Sequence, residues 1–279
     1  MKPSSHQARK QRAAEAKAIR LARARRKRQL KAGLVVVIVL ALLGATFGAF
    51  ALTDKPNSDT QDNESASGAT PPSVPPVPAG ATAPNPTPCP PADGSAPRTS
   101  QFAAAPPMCI DPNKNYTATL DTSEGKIVVA LDAKGMPQTV NNFVVLSRYK
   151  YYNGSAIVRT NTGIDIIQGG APGTQTNADR GPGYTIKDEG PKATYQDGDL
   201  VMANTGQPDS SGAQWFFGAG PNVSQLDSQG TYLKVGKTTE GADVLHKILG
   251  LHAASNPSEP TEGAPSKPVV VNSIQIAES

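Results

Sequence analysis

The chain has 279 residues, a net charge of +4 and two cysteines, a length that fits one or two domains. Residues 1–31 hold twelve Lys/Arg and one acid, Glu15, so the rest of the chain keeps only 15 of the 27 basic residues against 22 of the 23 acidic ones, a net −7. The basic balance therefore belongs to the N-terminus alone and gives no basis for nucleic-acid binding by the remainder.

In chain order, the basic tail of residues 1–32 leads into GLVVVIVLALLGATFGAFAL, residues 33–52, which carries no charge. Twenty such residues are what a helix needs to cross about 30 Å of hydrocarbon, and a retained transmembrane helix is expected from that length and the basic flank. A cleaved signal peptide is the alternative, because an Ala-x-Ala-like site stands at Ala49–Phe50–Ala51. The positive-inside rule puts the tail in the cytoplasm and residues 53–279 outside, and either reading exports the C-terminal part. The tail itself reads as a topology determinant that also touches anionic lipid.

Residues 53–115 read as a tether. They begin polar and acidic, and fourteen of the 26 prolines fall between Pro71 and Pro112. Such a composition cannot bury enough apolar surface to fold alone and favours an extended spacer. Cys89 and Cys109 both lie on the exported side, where a disulfide is expected, stabilising by about 3 kcal/mol and fastening the tether to the start of the domain.

The composition of a folded domain begins at Tyr116 and runs to residue 279. YTATLDTSEGKIVVALD reads as two strands around a Ser123–Glu124–Gly125 turn. Residues 136–152 read as a helix with Pro137 in its first turn and Val140, Phe143, Val144 and Ser147 on one stripe. Residues 155–170 and 198–217 are strand-like segments cut by loops. EGADVLHKILG, 240–250, is a second helix with Val244, Leu245, Ile248 and Leu249 facing inward, and VVVNSIQI, 269–276, a final strand. Many short strands and two separated helices suggest an antiparallel barrel closed by helices.

The chemistry is bounded by what is missing. The three histidines are His6 in the tail, His246, read as a half-buried residue of the second helix, and His252 just after it. No Ser–His–Asp arrangement or metal-spaced cluster is evident, and QGGAPG (168–173) and GPGY (181–184) do not follow the strand–turn–helix order of a phosphate cradle. No cofactor and no metal is expected. In MANTGQPDSSGAQWFF, 202–217, alternation puts Trp215 and Phe217 on one face of a strand, as core, and Phe216 on the other, as a site residue.

The co-linear motifs IVR…IIQGG (157–170), MANTG…GAQWFF (202–217) and QLD…YLKVGK (225–237) resemble the cyclophilin family of peptidyl-prolyl isomerases, whose signatures are FHR…FxxQGG and MAN…GSQFF. PQTVNNF matches the first helix of that family and GPGYTIKDE its mid-domain segment, so the resemblance spans about Tyr116 to Ile276. The layout is similar to the membrane-anchored, exported cyclophilins of Gram-positive bacteria. The resemblance implies a mainly β fold, an eight-stranded antiparallel barrel capped by two helices, with a groove on its outer face. Carried over by position, Arg159 is the central arginine, Gln168 holds it and contacts the substrate backbone, and Ala203 and Asn204 supply backbone hydrogen bonds. Gln214 supplies a side-chain amide, Phe216 floors the proline pocket, Ile166 and Leu226 wall it, and Tyr232 stands at the usual histidine.

The sequence departs from the family in several places. Ile157–Val158 replace its aromatic–His pair, Ala171 stands where an aspartate is usual, and TQTNADR replaces its Gly-rich run. The loop from Arg159 to Gln168 is one residue longer than the common pattern. Read back from Gln168, Asp165 falls at the pocket phenylalanine, where a carboxylate is a poor wall and could pair with Arg159; a shifted register would put Ile164 there instead. Gln225 stands at a tryptophan that contacts cyclosporin, so weak cyclosporin binding is expected.

Two functions fit. One is an exported prolyl isomerase acting on proline-containing peptides and unfolded exported proteins, monomeric and held to the membrane by its N-terminal helix. The other is a cyclophilin-shaped binding module with little catalysis.

Overall fold

The computed structural model of the chain describes residues 74–279. The basic tail, the expected transmembrane helix at 33–52 and the tether up to residue 73 lie outside the described residues. Among those described, no helix is long and apolar enough to cross a membrane.

In chain order the strands are β1 (Ala81–Ala83), β2 (Thr99–Phe102), β3 (Tyr116–Thr122), β4 (Gly125–Leu131), β5 (Ser155–Ala156), β6 (Arg159–Asn161), β7 (Ile166–Gly169), β8 (Asp199–Met202), β9 (Trp215–Gly218), β10 (Lys234–Glu240), β11 (His252–Ala254), β12 (Glu262–Pro265) and β13 (Val270–Glu278). Helix α1 (Pro137–Arg148) follows β4, a 3-10 helix (Pro221–Ser228) follows β9, and α2 (Ala242–Leu249) follows β10.

Apolar–polar alternation builds the sheet. Ala118 and Leu120 of β3 and Ile127 and Val129 of β4 are buried, while their strand neighbours point away from the core. The two strands pair with Leu120 opposite Ile127 and Ala118 opposite Val129. Gly125, at φ 141°, closes their turn where a Cβ would lie 2.8 Å from Val244 of α2.

Eleven strands form one curled sheet in the order β11-β12-β6-β7-β9-β8-β10-β4-β3-β13-β5, with every pair antiparallel. The eight strands expected are thus eleven, because the hairpin β11–β12 adds to one edge and the first strand-like segment after α1 is divided. Its first half, β5, pairs with β13, and its second half, β6, pairs with β7. That division of one stretch between two distant neighbours bends the sheet around its core.

Helix α1 is buried along almost its whole surface. It ends at Arg148 rather than at 152, because Lys150 takes a positive φ of 55° and turns the chain away. Its first turn has no cap of its own. Glu189 supplies one, accepting the Gln138 and Thr139 amides at 3.2 and 2.5 Å, where the helix dipole favours a negative group. On α2, Leu245 and Ile248 are fully buried, with Val244 and Leu249 packed at the margin. His246 is exposed, not half-buried: its Nε2 lies 2.9 Å from both carboxylate oxygens of Asp197.

The tether reading needs a larger correction. Residues 74–115 lie against the domain. Strands β1 and β2 pair in parallel, and Phe102 is buried between Tyr149 and Tyr184, with ring centroids 5.5 and 6.0 Å away. Arg98 donates to the carbonyls of Lys150, Tyr151 and Asn153 at 2.8–3.2 Å. The Tyr149 hydroxyl donates to the Pro88 carbonyl at 2.7 Å, and Asn141 of α1 accepts from the Cys109 amide and donates to the Pro107 carbonyl. Proline lacks a donor but keeps its carbonyl, so an extended proline-rich strap can be held by donors of the surface it crosses. A Cys89–Cys109 disulfide, Cα atoms 5.4 Å apart, closes the strap on itself.

Candidate active site

The registers of four adjacent strands build the site. Arg159 on β6 stands opposite Gln168 on β7, Gln168 opposite Phe216 on β9, and Phe216 opposite Val201 on β8. Directly opposed residues share a face, so one row of four crosses the outside of the sheet. The residues flanking Phe216 point the other way. Trp215 and Phe217 are fully buried in the main core with Leu120, Phe143, Ile167 and Leu200.

Phe216 belongs to a second, separate apolar cluster with Ile166, Tyr195, Val201, Val223 and Leu226; Ile164, Ala203 and Tyr232 pack at its edge. The Tyr232 ring meets Phe216 edge-on, centroids 5.5 Å apart and planes at 88°. Tyr232 is fixed through its backbone: its amide donates to the Tyr195 hydroxyl at 2.8 Å, and that hydroxyl donates to its carbonyl at 2.9 Å. Burial pushes the Tyr232 phenol upward, and the nearby Arg159 charge opposes the shift.

The guanidinium of Arg159 is held on two sides. Nη1 donates to Gln168 Oε1 at 3.1 Å, while Nε and Nη2 donate to the two carboxylate oxygens of Glu262 at 2.9 and 2.6 Å. Three of the five guanidinium N–H groups are thereby occupied and two remain. The amide chain continues to the 177–179 loop. Gln168 Nε2 donates to Gln214 Oε1 at 3.0 Å, and Gln214 Nε2 donates to the carbonyls of Asn177 and Asp179 at 3.1 and 3.4 Å.

The structure thus brings Arg159, Gln168, Gln214 and Phe216 together with Ile166, Leu226, Tyr232 and Ala203. Gln168 holds Arg159 as the resemblance implied, while Gln214 and the Ala203 amide make other hydrogen bonds than it implied. The side-chain amides of Gln168 and Gln214 brace the arginine and the 177–179 loop. The Ala203 amide donates to the Gln214 carbonyl at 2.9 Å and is not free for a peptide. Asn204 uses its side chain on Thr231 and Gly206, and among the described residues its backbone N–H and C=O make no hydrogen bond. Cys89 and Cys109 lie apart from this row, in the strap.

Asp165 is not a pocket wall. It absorbs the extra loop residue at φ 48°, and its carboxylate accepts the Asn222 amide at 2.9 Å, at the head of the 3-10 helix. Ile164 packs on the Phe216 cluster instead, as the shifted register had it. The acid that meets Arg159 is Glu262. Gln225 donates to the Gly163 carbonyl at 3.0 Å, tying the 3-10 helix to the same loop.

Sequence reasoning missed Glu262, Tyr195, Val201 and Val223. Glu262 is 103 positions from Arg159, with no motif around it to mark it. A cavity of about 540 Å³ opens behind Tyr232, lined by Met136, Pro191, Lys192, Leu233 and Lys234 among others, but it includes none of the Arg159 row. Among the described residues no group of His, Cys, Asp or Glu is arranged to hold a metal.

Comparisons with known proteins bear on the family and the fold. Residues 117–276 match the family model described as cyclophilin type peptidyl-prolyl cis-trans isomerase/CLD. A peptidyl-prolyl cis-trans isomerase of Streptomyces antibioticus is 33% identical over 168 residues, covering 57% of this chain and 98% of that protein. Peptidyl-prolyl cis-trans isomerase B of Escherichia coli is 32% identical over 57% of this chain and 99% of its own length. A solved cyclophilin type isomerase of Cryptosporidium parvum superposes with a TM-score of 0.51 at 26% identity, covering 59% of this chain and 99% of that one; it was also solved in the presence of the dipeptide Ala-Pro. The fold, the registered row of residues and these matches together make the chain a member of the cyclophilin-type peptidyl-prolyl cis-trans isomerases.

Proposed function

We propose that this isomerase acts on X–Pro bonds of exported proteins as they fold, with the Phe216 cluster taking the proline ring and Arg159 acting on the rotating amide. The observation that carries the reading is the row Arg159–Gln168–Phe216–Val201, which sets a fixed guanidinium beside an apolar cluster on the outer face. The reaction breaks no bond. An X–Pro amide rotates over a barrier of about 18–20 kcal/mol because it is conjugated, and uncatalysed exchange takes tens of seconds or longer. In the twisted amide the proline nitrogen becomes pyramidal and accepts a hydrogen bond. A permanently charged guanidinium with two free N–H groups can donate there or to the turning carbonyl. The Asn204 backbone gives the peptide an edge to bind, while Phe216, Ile166, Leu226 and Tyr232 hold the ring. The Ala-Pro dipeptide used with the Cryptosporidium relative is of the same chemical class.

The Cys89–Cys109 disulfide supports an exported, oxidising location, and the apolar stretch 33–52 supports anchoring by a single helix with the folded part outside the membrane. Exchange NMR on an X–Pro peptide with the full chain and its Arg159→Ala variant tests the mechanism. Acceleration by the wild type that the variant loses by about a hundredfold supports it. Peptide shifts on binding without faster exchange would make the groove a binding site only.

A further inference from the structure

Of the two partners that hold Arg159, only Gln168 belongs to the motifs that carry the family resemblance. The other, Glu262, comes from the hairpin β11–β12. We propose that Glu262 is a positioning residue of the isomerase reaction, one that fixes the plane and direction of the Arg159 guanidinium so that its two remaining N–H groups stay aimed at the bound peptide. The inference rests on Arg159 being the arginine of the reaction.

The geometry is that of a clamp. Register sets Glu262 directly opposite Asn161, two residues along β6 from Arg159 and therefore on the same face. The carboxylate meets Nε and Nη2 together, the two-point match of planar groups that fixes orientation as well as distance. Asn161 Nδ2 donates to Glu262 Oε1 as well, so the carboxylate is itself held. Both side chains are partly shielded, 24% exposed for Arg159 and 38% for Glu262, unlike a fully solvated ion pair.

The hairpin that carries Glu262 is closely fitted. At Gly263 a Cβ would sit 1.9 Å from the Ala253 carbonyl, so the two strands approach as only glycine permits. His252 Nδ1 lies 2.7 Å from the Thr160 hydroxyl and its Nε2 2.9 Å from the Pro260 carbonyl, while Thr162 donates its amide to the Thr261 carbonyl at 3.0 Å. These contacts leave Glu262 little room to shift relative to β6. Without it, Arg159 would be tied at Nη1 alone, on a long flexible stem. Catalysis by fixed donors depends on their being in place before the barrier is reached.

The test is exchange NMR on an X–Pro peptide with the full chain and the variants Glu262→Ala, Glu262→Gln, Arg159→Ala and the Arg159→Ala/Glu262→Ala pair. Glu262→Ala is expected to lower kcat about tenfold with KM changed less than about twofold, because orientation rather than binding is lost. Glu262→Gln, which keeps one acceptor and the shape, is expected to fall between; it decides the question if the alanine variant does not fold. Adding Glu262→Ala to Arg159→Ala is expected to cost nothing further, since the carboxylate acts only through the arginine. The Arg159 Nε–H signal, bonded to Glu262, is expected to resist water exchange in the wild type and to lose that protection in Glu262→Ala. Unchanged kcat in folded Glu262→Ala or Glu262→Gln overturns the proposal, as does an equal loss with and without Arg159. If Arg159→Ala keeps full activity, the reading of the site fails and the clamp with it, an outcome distinct from failure of the clamp alone.

Discussion

Strand β9 separates two regions that do different work with the same residue types. On its inner face Trp215 and Phe217 enter the main core, walled by α1 and much of the sheet. On its outer face Phe216 enters a cluster of six buried residues beside Arg159. The core closes around its aromatics from every side, whereas the Phe216 cluster has the partly buried Ile164, Ala203 and Tyr232 at its margin, with Arg159 near Tyr232. The difference shows how a small domain keeps a second apolar cluster at its surface without sacrificing its core. Period-two alternation lets consecutive residues of one strand enter two separate clusters, so the proposed binding role of Phe216 need not compete with the core.

The sharpest way to break that comparison is substitution on the two faces. Trp215→Ala is expected to cost about 3–5 kcal/mol of stability by urea unfolding, as the truncation of a large core aromatic does. Phe216→Ala is expected to cost about half as much stability yet lower kcat/KM about a hundredfold in peptide exchange, by removing the ring's floor. Comparable stability losses with activity retained in Phe216→Ala would erase the distinction. Gln214→Ala, which cuts the brace between Gln168 and the 177–179 loop, is expected to reduce kcat by about tenfold while leaving the unfolding midpoint nearly unchanged.

Titration approaches the two regions from opposite ends of the pH scale. Glu278, bonded to the buried Arg148 at 2.6 Å, is held below its ordinary value of 4.5, chiefly by that bond. A depressed carboxyl contributes stability that is present above the unfolded value and lost as pH falls through the folded one. Thermal unfolding is therefore expected to ease below about pH 4.5, and less so in Glu278→Gln, which has already lost the charge.

At high pH the sign reverses. Burial pushes Tyr195 up to about 12 from an ordinary 10.0, raises Tyr232, and raises the core Tyr152 well above 10.0. Above pH 10 the unfolded chain releases protons that the folded one retains, so stability falls as pH rises. Tyr232 is half-buried at the margin of the Phe216 cluster, whereas Tyr152 is fully buried in the core, so hydroxide reaches the cluster first. Peptide exchange is expected to fail at lower pH than the near-ultraviolet dichroism of the core; simultaneous loss would mean that the two regions are not separable.

Much of the fold was legible because its signals are local. Alternation marked β3 and β4, Pro137 and an apolar stripe marked α1, and Leu245 and Ile248 marked α2. The row Arg159, Gln168 and Phe216 was legible because co-linear motifs carry it, and the opposite faces of Trp215 and Phe216 because a strand has only two. The contacts that decide the site were less so. Glu262 reaches Arg159 only through the register of an edge hairpin. The place of Asp165 turned on one backbone angle, and the cap of α1 on Glu189, 50 or more residues away. The strap misled because a proline-rich composition tells that a segment cannot fold alone, and nothing of the surface it can fold against.

The amino-acid order by itself determined which segments are strands and helices and which face of each is apolar, since periodicity acts over a few residues, and its co-linear motifs pointed to the arginine, amides and aromatic of the row. Only the tertiary structure decided that the guanidinium is clamped by Glu262, that Ile164 rather than Asp165 joins the cluster, and that residues 74–115 lie on the domain. Those outcomes depend on strand register and on donors supplied by distant parts of the chain, and both exist only once the sheet has curled around its core.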